Sequence, residues 1–417
     1  MQIPSSPVSR PTFAACFLAG ALCLPATFLP AQTAPTRSAA ADVRHVVPVY
    51  QYVQTLVAAE DMDERRYLAF PVTVQLDDGA ILVGFKRGYA HAFDREASFD
   101  LLRLDPRTQR VRRQDPPLYR AGVNLQNGEF VRFANGDIVC YIDAQEPRRE
   151  PGSDEGFRMG LLEFRSTDGG RTFRDVGRVG PIDGVEYGYV FEALTEGTTT
   201  WMLAMTFANL PGGRSVTPSR PKAGAVAVLR SDDHGRTWRR TKNLTESFGG
   251  ALNESSFARY EDGFIFVCRP YAAGQPVIVT DGDFNVRRRV DLVEQYDFVA
   301  KGIGRPRVFA RDGRFYLLGR NTFKLGATPL PGRPAPATSA LNRMRLSLLR
   351  FDPRTLAVEQ HVVLDNAENQ SVIDAYYATP HWVERRGQLY FNVVTYKRVS
   401  GRTPDIVRSE YHWDEVK

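Results

Sequence analysis

One pattern recurs six times along this chain: an alternating apolar run, a tight turn at or near a glycine, and a second apolar run. The copies run from Pro71 to Arg87, Gly128 to Asp143, Tyr189 to Phe207, Asn253 to Arg269, Gly304 to Arg320 and Pro380 to Arg398. Each reads as a β-hairpin, because Asp-Gly, Asn-Gly and Glu-Gly turns admit positive φ between two alternating strands. The turn glycines Gly79, Gly136, Gly197, Gly263, Gly313 and Gly387 are 57, 61, 66, 50 and 74 residues apart. Such spacings leave room for about four strands per repeat. A lone hairpin cannot bury both its faces, whereas four-stranded sheets packed radially around an axis can. The repeat therefore predicts an all-β chain folded as a six-bladed β-propeller.

A second pattern falls between the hairpins. The segments Leu161 to Phe173 and Val228 to Trp238 both fit Ser-x-Asp-x-Gly-x-Thr followed by an aromatic residue. Ser166, Asp168, Gly170, Thr172 and Phe173 in the first match Ser231, Asp233, Gly235, Thr237 and Trp238 in the second. Eroded relatives at Leu101 to Thr108 and Leu348 to Thr355 keep the strand, the Asp and the Thr. An aspartate at this spacing accepts backbone N–H bonds within a turn, and the aromatic residue plugs the space between sheets. These residues are expected to build the fold on its outer turns, away from any axial site.

Composition narrows the function classes. The chain has 417 residues, 43% of them apolar, with 34 Gly and 27 Pro spread along its length, as suits many short strands. Its 54 Lys and Arg are interleaved with 48 Asp and Glu, for a net charge of +6, so no basic run points to nucleic acid. Arginine in excess also suits an acidic substrate. Arg10 followed by the apolar stretch Phe13 to Leu24, then small and polar residues, reads as an export signal. Residues 1–41 are thus expected to be a signal and flexible leader, and residues 42–417 one propeller, secreted or periplasmic, without stable membrane insertion. Removal of the leader takes Cys16 and Cys23 with it and leaves Cys140 and Cys268, which either pair or stay as buried thiols. The six histidines are scattered in no ligand-like spacing, and no glycine-rich phosphate loop is present, so neither a metal nor a nucleotide cofactor is expected.

With these turns on six hairpins, the chain from about Tyr67 to Lys397 resembles the sialidase superfamily of Asp-box, or BNR-repeat, propellers. The resemblance implies a site around the central axis, built from the starts of the innermost strands. In the fourth hairpin Glu254 precedes Arg269 by 15 residues, as in sialidases the glutamate precedes a substrate-binding arginine. In the sixth, Tyr376 or Tyr377 falls where the family carries a tyrosine nucleophile, activated by that glutamate. In the first, Arg87 is followed by Asp94, the candidate acid/base, with His91 as an alternative proton donor. Arg343 fits the third arginine of the family triad, in competition with Arg305 and Arg307 at the start of the fifth hairpin. One departure stands out: where the family begins its first strand with Arg-Ile-Pro, this chain has Ala69, Phe70 and Pro71. The first triad arginine is not matched, and only Arg65 or Arg66 is near enough in sequence to replace it.

The expectation is a glycoside hydrolase acting on a terminal acidic sugar of a glycan or glycoconjugate through a tyrosine nucleophile, with Arg269 and Arg343 on the carboxylate. Two other readings fit the same fold. One is a lyase acting on uronate-containing polysaccharide with Tyr377 and His381 or His91; the other is a carbohydrate-binding propeller without catalysis.

Overall fold

The computed structural model describes residues 42–92, 94–147, 158–206, 225–299, 302–323, 343–366, 372–399 and 403–417. The proposed export signal at residues 1–41 lies outside them. The six hairpins each form the inner half of an antiparallel sheet, and the sheets follow one another in chain order. Blade one is Tyr67–Gln75, Ile81–Gly88, Ala97–Leu104 and Val111–Leu118; blade two is Asn124–Arg132, Ile138–Gln145, Arg158–Ser166 and Arg174–Arg178. Blade three is Tyr189–Glu196, Thr199–Met205, Val226–Ser231 and Arg239–Asn243; blade four is Leu252–Tyr260, Gly263–Pro270, Pro276–Thr280 and Val286–Asp291. Blade five is Ile303–Arg311, Arg314–Phe323, Arg343–Phe351 and Val358–Asn366, with Arg44–Val46 added in parallel at its outer edge.

Blade six closes the ring. Its inner strand is split into Val372–Ala375 and Thr379–Arg385, followed by Gln388–Val399 and Asp405–His412, and its outermost strand is Tyr52–Val57 from near the other end of the chain. Pairing an early strand with the last one covers an edge that would otherwise stay open. Burial follows the same geometry: the six apolar clusters each lie between two neighbouring blades, including one that joins blade six to blade one. Among the described residues no helix is long and apolar enough to cross a membrane. Cys140 and Cys268 are buried and free.

The aspartate turns join the third and fourth strands. Asp168 accepts the backbone N–H of Arg171 and Thr172 and the Thr172 hydroxyl, while Ser166 Oγ takes the Gly170 N–H at 2.8 Å. In the second copy Asp233 accepts the Thr237 N–H and hydroxyl and Ser231 Oγ takes the Gly235 N–H, and Trp238 reaches between blades two and three to donate to Tyr141 Oη at 3.2 Å. The eroded turns at Asp105 and Asp352 keep the backbone bonds. Their plugs are buried residues of another kind, Gln109 and Leu356, both at positive φ. Blade four has a further turn of this type that the sequence pattern hid: Asp281 accepts from Asp283 and Asn285, and Phe284 stacks on Phe264.

Gly263 differs from its expected role. The positive φ in that turn belongs to Glu261, and Gly263 itself lies in the strand, where a side chain would collide with the Thr280 carbonyl. Close approach of two backbones, not turn geometry, calls for glycine there.

Candidate functional site

The inner strand of every blade slips register as it nears the axis. The slips fall between Ala69 and Val72, Leu125 and Gly128, Val190 and Glu192, Leu252 and Ser255, and Gly304 and Arg307, with the break at 376–378 in blade six. Such bulges re-aim side chains out of the sheet alternation. Phe70, Arg305 and Tyr376 take φ of 56°, 46° and 65° at these points, an uncommon conformation for bulky residues.

The bulges of blades four and six bring Glu254 and Tyr377 together in a cavity of about 710 Å³, lined also by His91, Arg269, Arg320 and Asp374. Tyr377 Oη donates to Glu254 Oε1 at 2.5 Å. Arg269 Nη1 bonds Glu254 Oε2 and stands 3.2 Å from the same Tyr377 oxygen, and Arg320 Nη2 reaches that oxygen at 3.3 Å. The Arg320 guanidinium also lies over the Tyr377 ring, 4.6 Å from its centre.

Charge follows from these contacts. Burial alone would raise the Glu254 pKa, but Arg269, the Tyr377 hydrogen bond and Arg320 outweigh it and hold the carboxyl below its ordinary range. Burial and the Glu254 charge push the Tyr377 phenol up, with Arg320 and Arg269 opposing them. The resting pair is thus a carboxylate and a neutral phenol, in which the carboxylate can take the proton as the oxygen attacks an electrophile.

Asp374 gathers a second group of side chains beside this pair. Its Oδ2 receives His91 Nδ1 at 2.6 Å and Tyr67 Oη at 2.8 Å; its Oδ1 receives Tyr396 Oη at 2.9 Å and Arg320 Nη1 at 3.1 Å. Burial favours the neutral acid, yet the His91 hydrogen bond and charge, then Arg320 and Tyr67, hold Asp374 well below the usual carboxylate range. Arg320 therefore links the two groups.

The other residues expected at the site are placed elsewhere. Tyr376 is wholly buried and donates to Asp365 Oδ2 at 3.0 Å, outside the cavity lining. Asp94, 2% exposed, accepts the backbone N–H groups of Tyr89 and Ala90 at 2.7 and 2.9 Å and does not line the cavity. Arg87 pairs with Asp63 and Asp100, Arg65 with Glu96, and Arg66 with the carbonyls of Met62 and Asp63. None of the three lines the cavity, and the position of the missing first arginine is occupied by buried Ala69 and by Phe70, whose ring packs on His91, Tyr377 and Tyr396. Arg305 and Arg307 face the axis but are buried on Glu129, with Arg307 also 2.9 Å from Glu192. His381 hydrogen-bonds Gln109 in the seam between blades six and one; burial, then Arg408, pulls its pKa down to about 3. Arg343 begins the third strand of blade five, and its side chain lies outside the described residues.

Arg320 and Asp374 are cavity residues that sequence reasoning missed. For Arg320 there was a signal in the repeat: Arg269 and Arg320 end the fourth and fifth hairpins, six and seven residues after their aligned glycines, Gly263 and Gly313.

No protein-family model matches the sequence, and no curated protein matches it. Solved structures match in shape. A protein of unknown function from Dyadobacter fermentans superposes with a TM-score of 0.59 at 15% identity, covering 89% of this chain and 99% of the other. The NanB sialidase of Streptococcus pneumoniae gives 0.57 at 8% identity over 89% of this chain and 71% of the other. The Trypanosoma rangeli sialidase in complex with sialic acid gives 0.54 at 10% identity over 89% and 60%. At these identities what is shared is the fold, a sialidase-like six-bladed β-propeller.

Proposed function

We propose that the chain is a retaining glycoside hydrolase acting on a terminal acidic sugar, with Tyr377 as nucleophile and Glu254 as its base. The observation that carries this reading is the 2.5 Å hydrogen bond from the Tyr377 hydroxyl to the Glu254 carboxyl group on the cavity wall. A neutral phenol approaches an anionic sugar without the repulsion a carboxylate would feel, and glutamate supplies the missing basicity. Arg269 and Arg320 hold the sugar carboxylate, since a guanidinium fork matches its two oxygens. With Ala69 and Phe70 in place of the first family arginine, the carboxylate is held by two arginines, and the preferred sugar includes uronides as well as sialosides. Signal-directed export and a glycan substrate belong to the same proposal.

The test is turnover of fluorogenic sialosides and uronides by the wild type, Tyr377→Phe and Glu254→Gln. Release of the fluorophore that falls by about 10²-fold or more in both variants supports the pair. Unsaturated, ultraviolet-absorbing products would mean a lyase instead, and glycan binding without turnover, unchanged in Glu254→Gln, would mean a binding propeller.

A further inference from the structure

The Tyr377 and Glu254 pair accounts for one part of the cavity lining, and the neighbouring His91 and Asp374 pair has no part in attack. Its geometry is that of a proton-transfer group. His91 Nδ1 is engaged by Asp374 Oδ2 at 2.6 Å, so exchange with a ligand falls to Nε2. The histidine side chain is 54% exposed at the cavity wall, while its aspartate is only 10% exposed. A buried carboxylate on one ring nitrogen fixes the imidazole's orientation and stabilises its cation.

The loop that carries His91 is pinned from beneath. Lys86, without solvent exposure, donates to the carbonyls of Ala90 and His91 at 2.7 and 3.1 Å and to Gln126 Oε1 at 2.7 Å. Gln126 donates in turn to the His91 carbonyl, and Asp94 takes the Tyr89 and Ala90 N–H groups and lies 3.4 Å from Lys86 Nζ. A dehydrated lysine is costly to keep, and here its three donors are directed at the backbone and support of one cavity-wall residue. His91 Nδ1 meets Asp374 from blade six and Tyr67 from blade one, and the Phe70 ring packs on the imidazole; Tyr396 from blade six and Arg320 from blade five hold Asp374, Arg398 lies over the Tyr67 ring, and Lys86 holds the His91 carbonyl.

We propose that His91, oriented by Asp374, protonates the departing glycosidic oxygen, and that Asp94, Lys86 and Gln126 are positioning residues for its loop. The assignment rests on the glycosidase reading above. As the Tyr377 oxygen bonds to the anomeric carbon, its proton passes to Glu254. The carbon–aglycone bond breaks and the leaving oxygen takes the proton from His91. Water then attacks the anomeric carbon and gives a proton to neutral His91, while the Tyr377–sugar bond breaks and its oxygen recovers the proton from Glu254. Both residues end as they began.

Leaving-group dependence tests this. One acidic sugar is offered with an acidic phenol aglycone, which departs without assistance, and with a sugar alcohol, which needs a proton. His91→Asn, shown folded by circular dichroism, is expected to lose about 10²–10⁴-fold in kcat/KM on the alcohol and at least tenfold less on the phenol. The basic limb of the alcohol pH profile should vanish in His91→Asn and persist in Asp94→Asn. Equal losses on both aglycones, or a limb that disappears with Asp94→Asn and stays in His91→Asn, would overturn the assignment. A wild type that turns over neither glycoside would overturn the glycosidase reading itself, before any His91 variant is measured.

Discussion

Arg269 and Arg320 lie toward the ends of the second strands of neighbouring blades, and each places a guanidinium nitrogen on one oxygen, Tyr377 Oη, at 3.2 and 3.3 Å. Two cations on a buried phenol oxygen stabilise negative charge there and leave their remaining donors for an anionic ligand. Arg320→Lys and Arg269→Lys keep charge but lose the fork. Each is expected to raise KM for the acidic sugar by about 10-fold or more, as befits a charged hydrogen bond worth roughly 1.5–3 kcal/mol. Steady-state kinetics on acidic and neutral glycosides of the same aglycone will show the effect confined to the acidic one.

Adjacent tyrosines should behave oppositely. Tyr376→Phe removes a buried bond to Asp365 and is expected to lower stability by about 1–2 kcal/mol with turnover intact. Tyr377→Phe should abolish turnover, and adding Glu254→Gln should cost little more, because the two act as one unit. Denaturant unfolding and initial rates on the four proteins measure both.

Glu129 from blade two takes Arg305 and Arg307 from blade five across the axis, all three nearly dry. Glu129→Gln leaves two buried cations short of charge and is expected to destabilise by about 3–5 kcal/mol. Where the protein remains folded, KM should stay near that of the wild type, since neither arginine lines the cavity. Guanidinium melts with parallel kinetics will separate this structural network from the binding arginines.

Stability should carry two pH signatures. Burial, against the pull of Asp94, brings the Lys86 pKa down to about 8 from 10.5, so between those values the unfolded chain binds more protons and stability rises with pH. The gain is up to about 3 kcal/mol at 1.36 kcal/mol per pKa unit, and it should be missing in Lys86→Met. Asp374 has the opposite shift relative to its charge: its folded pKa is below 3.8, so its contribution is present above about pH 4 and is lost as pH falls through the folded value. Unfolding midpoints from pH 2 to 10 for wild type, Lys86→Met and Asp374→Asn will resolve both limbs.

The hairpins, their order and the turn aspartates were legible because each is a local matter: two-residue periodicity, positive-φ residues and an aspartate three or four residues from the N–H groups it caps. Glu254 and Arg269 were legible as a spaced pair on one hairpin. The choice between Tyr376 and Tyr377 was not. It depends on how the break at 376–378 turns the chain, and a single residue of register sends one side chain to the core and the other to the cavity. Asp94 and His91 posed the same difficulty in one loop, where buried Lys86 draws the aspartate under the backbone and Asp374, 283 residues from His91 in sequence, holds the imidazole at the cavity wall.

By itself the sequence determined the architecture: six hairpins that cannot bury their own faces must stack around an axis, and that follows from local periodicity and turn chemistry. Tertiary structure alone decided which ionisable groups meet. Glu254, Tyr377, Arg269 and Arg320 come from three blades, and their charges are set by distances of about 3 Å across the channel. No spacing along the chain encodes those distances, because they arise where the irregular inner strands of blades four and six meet the second strands of blades four and five across the channel.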